Sequence, residues 1–475
     1  MKDVVFKLIC KQCKKEYELF PKTYTCRDCG GQLIYDVSLE KESIKEIFRK
    51  ISSSTHKNLW TYKDLLPPID KQYIISLGEG GTPLIEAVNL AKQVGIKNLF
   101  LKDESRNPTQ SFRDRAATVI TSVAKMLGVR KVICASNGNM AASLAAYGSK
   151  AHLNVTVILP ENVELGKLAQ VHMYGSKVIT FGKTVDDAIE YEISNFSFET
   201  YYHATPELNP LALEGQKTIA FELVDQLNTL DFIVIPTGSG SLAYSIWLGL
   251  KILKDADILQ NIPRLVIVQP DSCAPIVWQL KNKEFKSESI KLITGIFVKN
   301  PKYIEEVVAA VKSTNGVGIA IPEEEIIEME KKVAKYEGIF AEPSSATSIA
   351  GIQHLVSDGV IDKKDNVVAI LTSSGLKTPY IIRALTQRKK TAVISKTLNT
   401  KIKILKFLEY GPSYGYEIWK QLFPTLKIQA VYQHLTELED RGLIRASTKD
   451  RRKYFEITDK GKKVVKAFDE LALLL

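Results

Sequence analysis

The sequence has few features that would place it in a membrane or outside the cell. No stretch approaches the roughly 20 unbroken apolar residues that a membrane helix needs. The segment from Met1 to Cys10 lacks a basic region followed by an apolar one, so no secretory signal is predicted. The six cysteines are not expected to form a disulfide framework, because such frameworks are rare in large cytosolic chains. We therefore expect a cytoplasmic protein with no membrane partner.

The composition is that of a globular protein with a basic end. Hydrophobic residues make up 45% and charged residues 25% of the chain. Its length exceeds what one hydrophobic core supports and predicts roughly three or four domains. The net charge is +10, and the last 80 residues hold 12 Lys and 4 Arg against 4 Asp and 6 Glu. A basic end suggests a polyanion partner, although a solvated surface would have the same composition.

Four of the six cysteines form two closely spaced pairs near the start of the chain. Cys10 and Cys13, and Cys26 and Cys29, each have two residues between them. Two such pairs can place four thiolates tetrahedrally around a zinc ion. The alternative is two chance pairs of buried thiols. Because a closed site of four thiolates leaves no position for substrate, we predict a structural zinc ribbon in residues 1–38.

The middle of the chain alternates between apolar runs and helical stretches. Such alternation predicts an α/β fold with an open, mostly parallel sheet. The strand-like runs are Lys131–Ala135, Val155–Leu159, Phe232–Pro236, Leu265–Val268 and Val367–Leu371.

Seven segments in this region follow one another in the order of a known family. They are Glu79–Leu84, Lys102–Arg115, Ala135–Ser143, Glu214–Glu222, Pro236–Ser241, Glu342–Ala346 and Leu371–Lys377. Together they resemble threonine synthase, in the pyridoxal-phosphate (PLP) fold-type II family, over roughly residues 1–385. The resemblance implies a tryptophan synthase β-like core of two subdomains, with the smaller one at about residues 98–205. It also implies that Asn139 faces the cofactor ring and that Thr372 contacts the pyridine nitrogen.

The sequence departs from the family where the cofactor would be bound covalently. Arg113 stands at the position of the Schiff-base lysine, and a guanidinium has no free nucleophilic lone pair. Gln110 and Ser241 each replace a glycine, and Ser373 and Ser374 replace the family's Gly-His. PLP bound covalently is therefore unexpected, with non-covalent binding left open. Lys102 lies nearby in sequence, but the resemblance gives it no Schiff-base role.

These departures lead us to predict a pseudoenzyme that binds a small molecule without turning it over. Arg113 could hold a phosphate or carboxylate with two hydrogen bonds, or it could be an arginine ion-paired beside Asp114. The alternative is an active PLP-dependent threonine synthase or related lyase that carries a DNA-binding tail. The predicted ligand-binding residues are Arg113, Ser136, Asn137, Gly138, Asn139, Gly238, Ser239, Gly240, Ser241 and Thr372.

The C-terminal segment predicts three helices followed by a basic β-hairpin. The helices are expected at Lys401–Tyr410, Tyr414–Phe423 and Lys427–Asp440, and the strands at Leu443–Ala446 and Lys453–Thr458. The third helix has one apolar stripe of Ile428, Val431, Leu435 and Leu438. This arrangement is typical of a winged helix-turn-helix.

Four C-terminal segments resemble the PadR-like regulators over roughly residues 400–465. They are Gly415–Ile418, Val431–Leu435, Leu438–Ile444 and Arg452–Thr458. We predict that double-stranded DNA is the partner, with glutamines reading base edges and basic residues contacting phosphates. The alternative is a protein-interaction module with a solvated polar face. The predicted DNA-binding residues are Lys427, Gln429, Gln433, Thr436, Lys449, Arg451 and Arg452.

The sequence therefore predicts a zinc ribbon at 1–38, a threonine synthase-like domain at 39–385, a linker at 386–400 and a winged helix at 401–475. The final helix places Val464, Phe468, Leu471 and Leu475 on one apolar seam, which predicts a homodimer. The predicted function is a transcription regulator whose central domain senses an unidentified small-molecule effector.

Overall fold

The computed structural model describes residues 5–38, 40–284, 293–378, 400–424, 427–449 and 452–465. The chain divides into two compact units, Met1–Pro379 and Tyr380–Leu475. Among the described helices, none is long and apolar enough to cross a lipid bilayer. The predicted linker at 386–400 lies almost wholly outside the described residues.

The first unit begins with a small antiparallel sheet that carries the four clustered cysteines. Its strands are β1 (Val5–Cys10), β2 (Glu16–Tyr17) and β3 (Leu33–Ser38), in the order β2-β1-β3. Helix α1 (Lys41–Ser52) follows and buries the apolar stripe of Ile44, Phe48 and Ile51. The segment between β2 and β3 packs on the rest of the unit, where the Tyr24 hydroxyl lies 3.2 Å from the hydroxyl of Tyr202.

A six-stranded sheet forms the larger subdomain. Its spatial order is β12-β11-β10-β13-β5-β4, and all pairs are parallel except β4 with β5. The inner strands are nearly continuous runs of buried apolar residues, as expected of a parallel sheet with helices on both faces. The strands are β4 (Leu84–Glu86), β5 (Asn98–Asp103), β10 (Phe232–Pro236), β11 (Arg264–Pro270), β12 (Val317–Ile321) and β13 (Asn366–Leu371).

A second, fully parallel sheet of four strands forms the smaller subdomain. Its order is β8-β7-β6-β9. The strands are β6 (Lys131–Ala135), β7 (Asn154–Leu159), β8 (Lys177–Thr180) and β9 (Tyr202–His203). The five predicted runs therefore belong to two sheets. Strand β5, at the predicted start of the smaller subdomain, pairs with β13 of the larger sheet.

Helices cover both sheets of this unit. They are α2 (Val88–Val94), α3 (Arg113–Met126), α4 (Asn139–Lys150), α5 (Leu165–Met173), α6 (Val185–Asn195), α7 (Leu211–Gln216), α8 (Thr218–Gln226), α9 (Ser241–Asp255), α10 (Pro275–Leu280), α11 (Ile304–Ser313), α12 (Glu323–Glu337) and α13 (Pro343–Ser357).

A buried ionic network joins α3, α8 and the strand β5. The guanidinium of Arg115 donates to both carboxylate oxygens of Glu104 at 2.7 Å and to Glu222 at 2.6 and 2.8 Å. Lys102 Nζ donates to Glu222 at 2.6 Å. These side chains are at most 2% exposed, so every charge depends on a partner. Lys102 is therefore a structural ion-pair residue.

The described residues of the second unit form four helices and a β-hairpin. A helix at 400–409, here α14, precedes β14 (Ser413–Tyr414), α15 (Gly415–Leu422) and α16 (Ile428–Asp440). Strands β15 (Ile444–Lys449) and β16 (Arg452–Ile457) form the hairpin, and a helix at 459–465, α17, follows.

The apolar stripe predicted for the third helix packs into the core of this module. Val431, Leu435 and Leu438 are buried, whereas Ile428 is only partly covered. Strand β14 pairs with β16 and gives the hairpin a third strand that the pattern did not predict. Of the predicted dimer seam, Phe468, Leu471 and Leu475 lie outside the described residues.

Candidate functional site

The main cleft of the first unit begins at a glycine turn between β10 and α9. Gly238, Ser239, Gly240 and Ser241 line it. Gly240 is the residue before α9 and has φ +90°, a conformation that favours glycine. The turn therefore leads into a 15-residue helix with its free N–H groups at the cleft. Such a helix start is suited to binding a phosphate.

Arg113 reaches this turn from the first residue of α3. Its Nη1 donates to Ser241 Oγ at 3.2 Å, and its guanidinium lies over the Phe112 ring at 4.6 Å. Burial lowers the pKa of Arg113, but a guanidinium stays protonated. The neighbouring Asp114 carboxylate accepts from the Thr109 N–H at 2.7 Å and from the Thr109 hydroxyl at 2.6 Å. Arg113 thus places a positive charge beside the turn.

The opposite wall is the loop before α4. Asn139 Nδ2 donates to the two carboxylate oxygens of Glu342 at 3.0 and 3.3 Å. Ser344 Oγ donates to the same carboxylate at 2.6 Å, and Lys167 Nζ lies 3.5 Å from it. Ser136 accepts the N–H of Gly138 at 3.0 Å, which shapes the loop. The amide of Asn139 is therefore held in a defined orientation at the cleft.

Two of the residues that depart from the family form a connection below this wall. Ser373 Oγ donates to the backbone oxygen of Gln110 at 2.8 Å and lies 3.4 Å from Asn139 Oδ1. Gln110 has φ +63°, a left-handed conformation that favours the glycine it replaces. Thr372 Oγ1 lies 2.9 Å from Ser345 Oγ. Gln110 and Ser373 therefore lie beside the cleft-lining residues Asn139 and Thr372 and not at a distant surface.

The structure brings almost all of the predicted ligand-binding residues to one cleft. Gly138 lies behind the wall, where a Cβ would meet Lys167 Cδ at 2.7 Å. Glu207 and Glu342 also line the cleft, although neither was among the predicted site residues. Glu342 was part of a quoted motif, but nothing in the sequence pointed to Glu207. The predicted residues that line the cleft are Arg113, Ser136, Asn137, Asn139, Gly238, Ser239, Gly240, Ser241 and Thr372.

These residues fit one end of PLP and not the other. The glycine turn and Arg113 suit its phosphate, and Asn139 and Thr372 lie on the walls that the ring would face. Arg113 cannot supply the lysine amine that would bind the aldehyde. Residue 113 therefore cannot hold PLP through a covalent bond.

The four clustered cysteines meet the geometric requirement for one metal ion. Their sulfur atoms all lie within 4.8 Å of one another. Cys10 and Cys26 are buried, whereas Cys13 and Cys29 are exposed. The Tyr17 hydroxyl donates to Cys26 Sγ at 3.1 Å and lowers the pKa of that thiol to about 6, which favours the thiolate that binds metal. The cluster could therefore bind zinc, as the spacing predicts.

Protein purified without added zinc is expected to contain about one zinc ion per chain, because the closed set of four thiolates retains metal. Metal analysis by mass spectrometry checks this. Cys26→Ser should lose the metal, and Cys134→Ala, at a buried cysteine outside the cluster, should keep it. A wild-type ribbon that is folded and free of metal would contradict the prediction.

The second unit presents the predicted DNA-binding face. Lys427, Gln429, Gln433 and Thr436 are exposed along one side of α16 and its start, and Arg452 is exposed in β16. The backbone of Lys449 ends β15, and Arg451 lies outside the described residues.

A tyrosine that the sequence analysis left out adds to this face. Tyr432 is 41% exposed on α16 between the two glutamines. Its ring packs where a Cβ on Gly415 would be, which brings α15 and α16 close together.

Comparison with known proteins identifies both parts of the chain. Residues 75–373 match the family described as pyridoxal-phosphate dependent enzyme, and residues 404–467 match the transcriptional regulator PadR-like family. The second unit is thus a PadR-like DNA-binding regulator domain.

Among relatives, the threonine synthase of Methanocaldococcus jannaschii is 39% identical over 84% of this chain and 99% of its own length. That of Methanosarcina acetivorans is 38% identical over 80% of this chain and 94% of its own.

Solved structures of PLP enzymes share the fold of the first unit. The L-serine ammonia-lyase of Rhizomucor miehei superposes with a TM-score of 0.55 at 19% identity, over 62% of this chain and 93% of its own. Maize serine racemase has the same TM-score and identity, over 66% of this chain and 93% of its own.

These findings correct two predictions. The expectation of a pseudoenzyme is wrong, because identities of 37–39% to threonine synthases point to an enzyme. The treatment of PLP as unlikely is also unsupported, since the matched family binds this cofactor. Both predictions relied on one side chain, that of Arg113, and gave too little weight to the similarity of the whole domain to PLP-dependent enzymes. In residues 75–373 the chain belongs to the pyridoxal-phosphate dependent enzyme family, with threonine synthases among its relatives and a PadR-like domain fused to its C-terminal side.

Proposed function

We propose that the chain joins a PLP-dependent enzyme domain to a DNA-binding regulator, and that the ligand in the cleft sets the affinity for DNA. The observation that carries this proposal is the hydrogen bond between Arg113 and Ser241, which places a cation at a helix start in the cleft. PLP, when bound, supplies an electron sink for chemistry on amino acids. The effector is therefore PLP together with an amino acid.

The charge at one end of the cleft supports binding of the PLP phosphate. The N–H groups at the start of α9 and the helix dipole both favour an anion. Arg113 adds a guanidinium that can make two parallel hydrogen bonds to phosphate oxygens. Together these groups hold the phosphate without a covalent bond.

The other walls support an amino-acid ligand. Glu207 lines the cleft, and its carboxylate suits an ammonium group. Lys377 Nζ donates to the Thr109 carbonyl at 2.8 Å, and burial lowers the pKa of Lys377 to about 8. Lys377 is thus a buried amine that loses its proton at a lower pH than an exposed lysine does.

Control of DNA binding requires that the ligand bind with different affinity in the DNA-binding and the free states. A useful switch needs about 1–3 kcal/mol of coupling free energy. A homodimer would present two PadR-like domains to a pseudo-palindromic site, so that a change in their spacing alters affinity. The apolar seam that includes Val464 is our candidate for the dimer contact.

Ligand control is tested by measuring DNA affinity with PLP, alone and with L-threonine, the amino acid in the relatives' name. We expect the wild-type affinity for operator DNA to change by about 5- to 150-fold with ligand. Arg113→Ala should lose most of that response and keep its ligand-free affinity, because residue 113 lies in the cleft and not in the PadR-like domain. Fluorescence anisotropy of labelled DNA is the measurement.

The matched variant is Gln433→Ala in the exposed face of α16. It should weaken DNA binding by about 1–3 kcal/mol if it reads a base, and leave PLP affinity unchanged. A normal ligand response in Arg113→Ala would contradict the proposal, as would equal DNA affinity with and without ligand in wild type.

A further inference from the structure

Gln32 lies shortly after the second cysteine pair, and its backbone is held by residues next to both pairs. The carbonyl of Gln32 accepts from the Lys11 N–H at 2.9 Å, next to Cys10. Gln32 also forms a β-bridge with Thr25, next to Cys26. At Gly31, a Cβ would lie 2.9 Å from Cys10 Sγ, so the backbone passes directly over the sulfur cluster. The position of Gln32 therefore depends on how tightly the four sulfurs are held together.

The side chain of Gln32 leaves the ribbon and contacts the wall of the cleft. Its Nε2 donates to the Tyr303 hydroxyl at 3.1 Å and to the Glu207 carbonyl at 3.3 Å. The Tyr303 hydroxyl donates in turn to the Pro206 carbonyl at 2.9 Å. Tyr303 is fully buried, so these polar groups depend on one another for their hydrogen bonds.

Tyr303 also holds the phosphate-binding turn. Its backbone N–H donates to the Ser239 carbonyl at 3.1 Å. Its Cβ lies 3.2 Å from the place where a Cβ on Gly240 would be. Because Pro206, Glu207, Ser239 and Gly240 all line the cleft, Tyr303 links two of its walls. Gln32 connects that link to the ribbon.

A second connection runs beside the first. Lys11, adjacent to Cys10, pairs with Glu306 and lies 3.6 Å from Glu305, both in the first turn of α11. This helix begins directly after Tyr303. The ribbon thus contacts the start of α11 at two points. Lys11, next to the first cysteine pair, contacts its first turn, and Gln32, after the second pair, contacts Tyr303 directly before it.

We propose that metal loading of the ribbon sets the geometry of the phosphate-binding turn, with Gln32 as the positioning residue. With zinc bound, the thiolates are held together and Gln32 stays in place. Without metal the four sulfurs have no common ligand, so the two pairs separate and the link to Tyr303 loosens. Zinc and the cleft ligand then bind cooperatively, and each tightens the other by the same factor. The arm of the test that uses PLP rests on the proposed function.

The link is tested first without any ligand, by amide hydrogen exchange on the full chain. Zinc-loaded, chelator-stripped and zinc-reloaded protein are compared at the hydrogen-bonded amides of Tyr303 and Thr237. Stripping is expected to speed exchange there about five- to tenfold, as loss of one or two buried hydrogen bonds implies, and reloading should reverse it. Gln32→Ala should give the same increase with its zinc content unchanged.

Two further variants separate positioning from general loosening of the ribbon. Lys7→Ala removes a pair with Glu16 within the ribbon, at 2.6 Å, and should leave exchange at Tyr303 as in wild type. Tyr303→Phe removes the hydroxyl through which Gln32 acts, so the effects of Tyr303→Phe and Gln32→Ala should not add in the double variant.

PLP titration gives the second measurement. Gln32→Ala and zinc-stripped wild type are expected to bind PLP about five- to tenfold more weakly than zinc-loaded wild type. Unchanged exchange at Tyr303 after stripping, or in zinc-loaded Gln32→Ala, would overturn the inference whatever PLP does. If exchange responds and zinc-loaded wild type does not bind PLP, the link stands and the proposed function fails.

Discussion

Gly240→Val is expected to weaken PLP binding by about 100-fold or more. Gly240 has φ +90°, and a Cβ there would lie 2.9 Å from Val307 Cγ2 and 3.2 Å from Tyr303 Cβ. The turn must move to accept the side chain, so its N–H groups no longer converge on the phosphate. Hydrogen bonds to a charged group contribute about 1.5–3 kcal/mol each, so loss of two accounts for that factor. Isothermal titration with PLP measures it.

Gly338→Val is the matched control for this substitution. Gly338 has φ +68° at the end of α12, and a Cβ there would have nothing within 4 Å. The control carries the same kind of backbone strain without obstructing the cleft, so its PLP affinity should be that of wild type. If Gly240→Val and wild type bind PLP with equal affinity, the glycine turn is not part of the PLP-binding site.

Arg115→Ala is expected to destabilise the first unit by about 3–5 kcal/mol, because it leaves buried carboxylates without their main partner. Arg115 makes hydrogen bonds to both Glu104 and Glu222, and its side chain has no exposed surface. These carboxylates raise the pKa of Arg115, against the effect of its burial. Denaturant unfolding followed by circular dichroism gives the change in the free energy of unfolding.

The control is a cation in an ion pair that is exposed on both sides. Lys331 Nζ lies 2.9 Å from Glu328, and the two side chains are 57% and 58% exposed. Lys331→Ala should cost no more than about 1 kcal/mol. If both variants lose the same stability, burial is not what makes the Arg115 network important.

The sequence predicted well those elements whose residues are set by local pattern. Each of the five apolar runs is a strand, because runs of Val, Ile and Leu between turn residues suit the interior of a parallel sheet. The C-terminal helices and hairpin also lie close to their predicted bounds, since apolar spacing and Gly442 mark where α16 ends. Which strands share a sheet depends on contacts distant in sequence. The division into two sheets was therefore known only from the family resemblance.

The same limit applies to the cleft. The glycine turn and the loop around Asn139 could be predicted because each is a short, continuous motif. Glu207 reaches the cleft from the segment between β9 and α7, where no local signal distinguishes an acid that lines a site from one that faces solvent. The inference from Arg113 to a loss of enzymatic character failed for a different reason: one substituted side chain does not determine what a whole domain can bind or do.

The alternation of buried and exposed cysteines has a consequence for how the ribbon would respond to oxidants. Cys10 and Cys26 are enclosed, whereas Cys13 and Cys29 face the solvent. In a zinc-loaded ribbon, a small electrophile would therefore meet one sulfur of each pair first, and the two enclosed sulfurs would be shielded while Cys13 and Cys29 remain bound to the metal. Cys13 follows β1 and Cys29 precedes β3, so modification of either one would release a different segment of the ribbon from the metal site. Damage to the ribbon would proceed in steps, with an intermediate that still holds metal through its two interior thiolates.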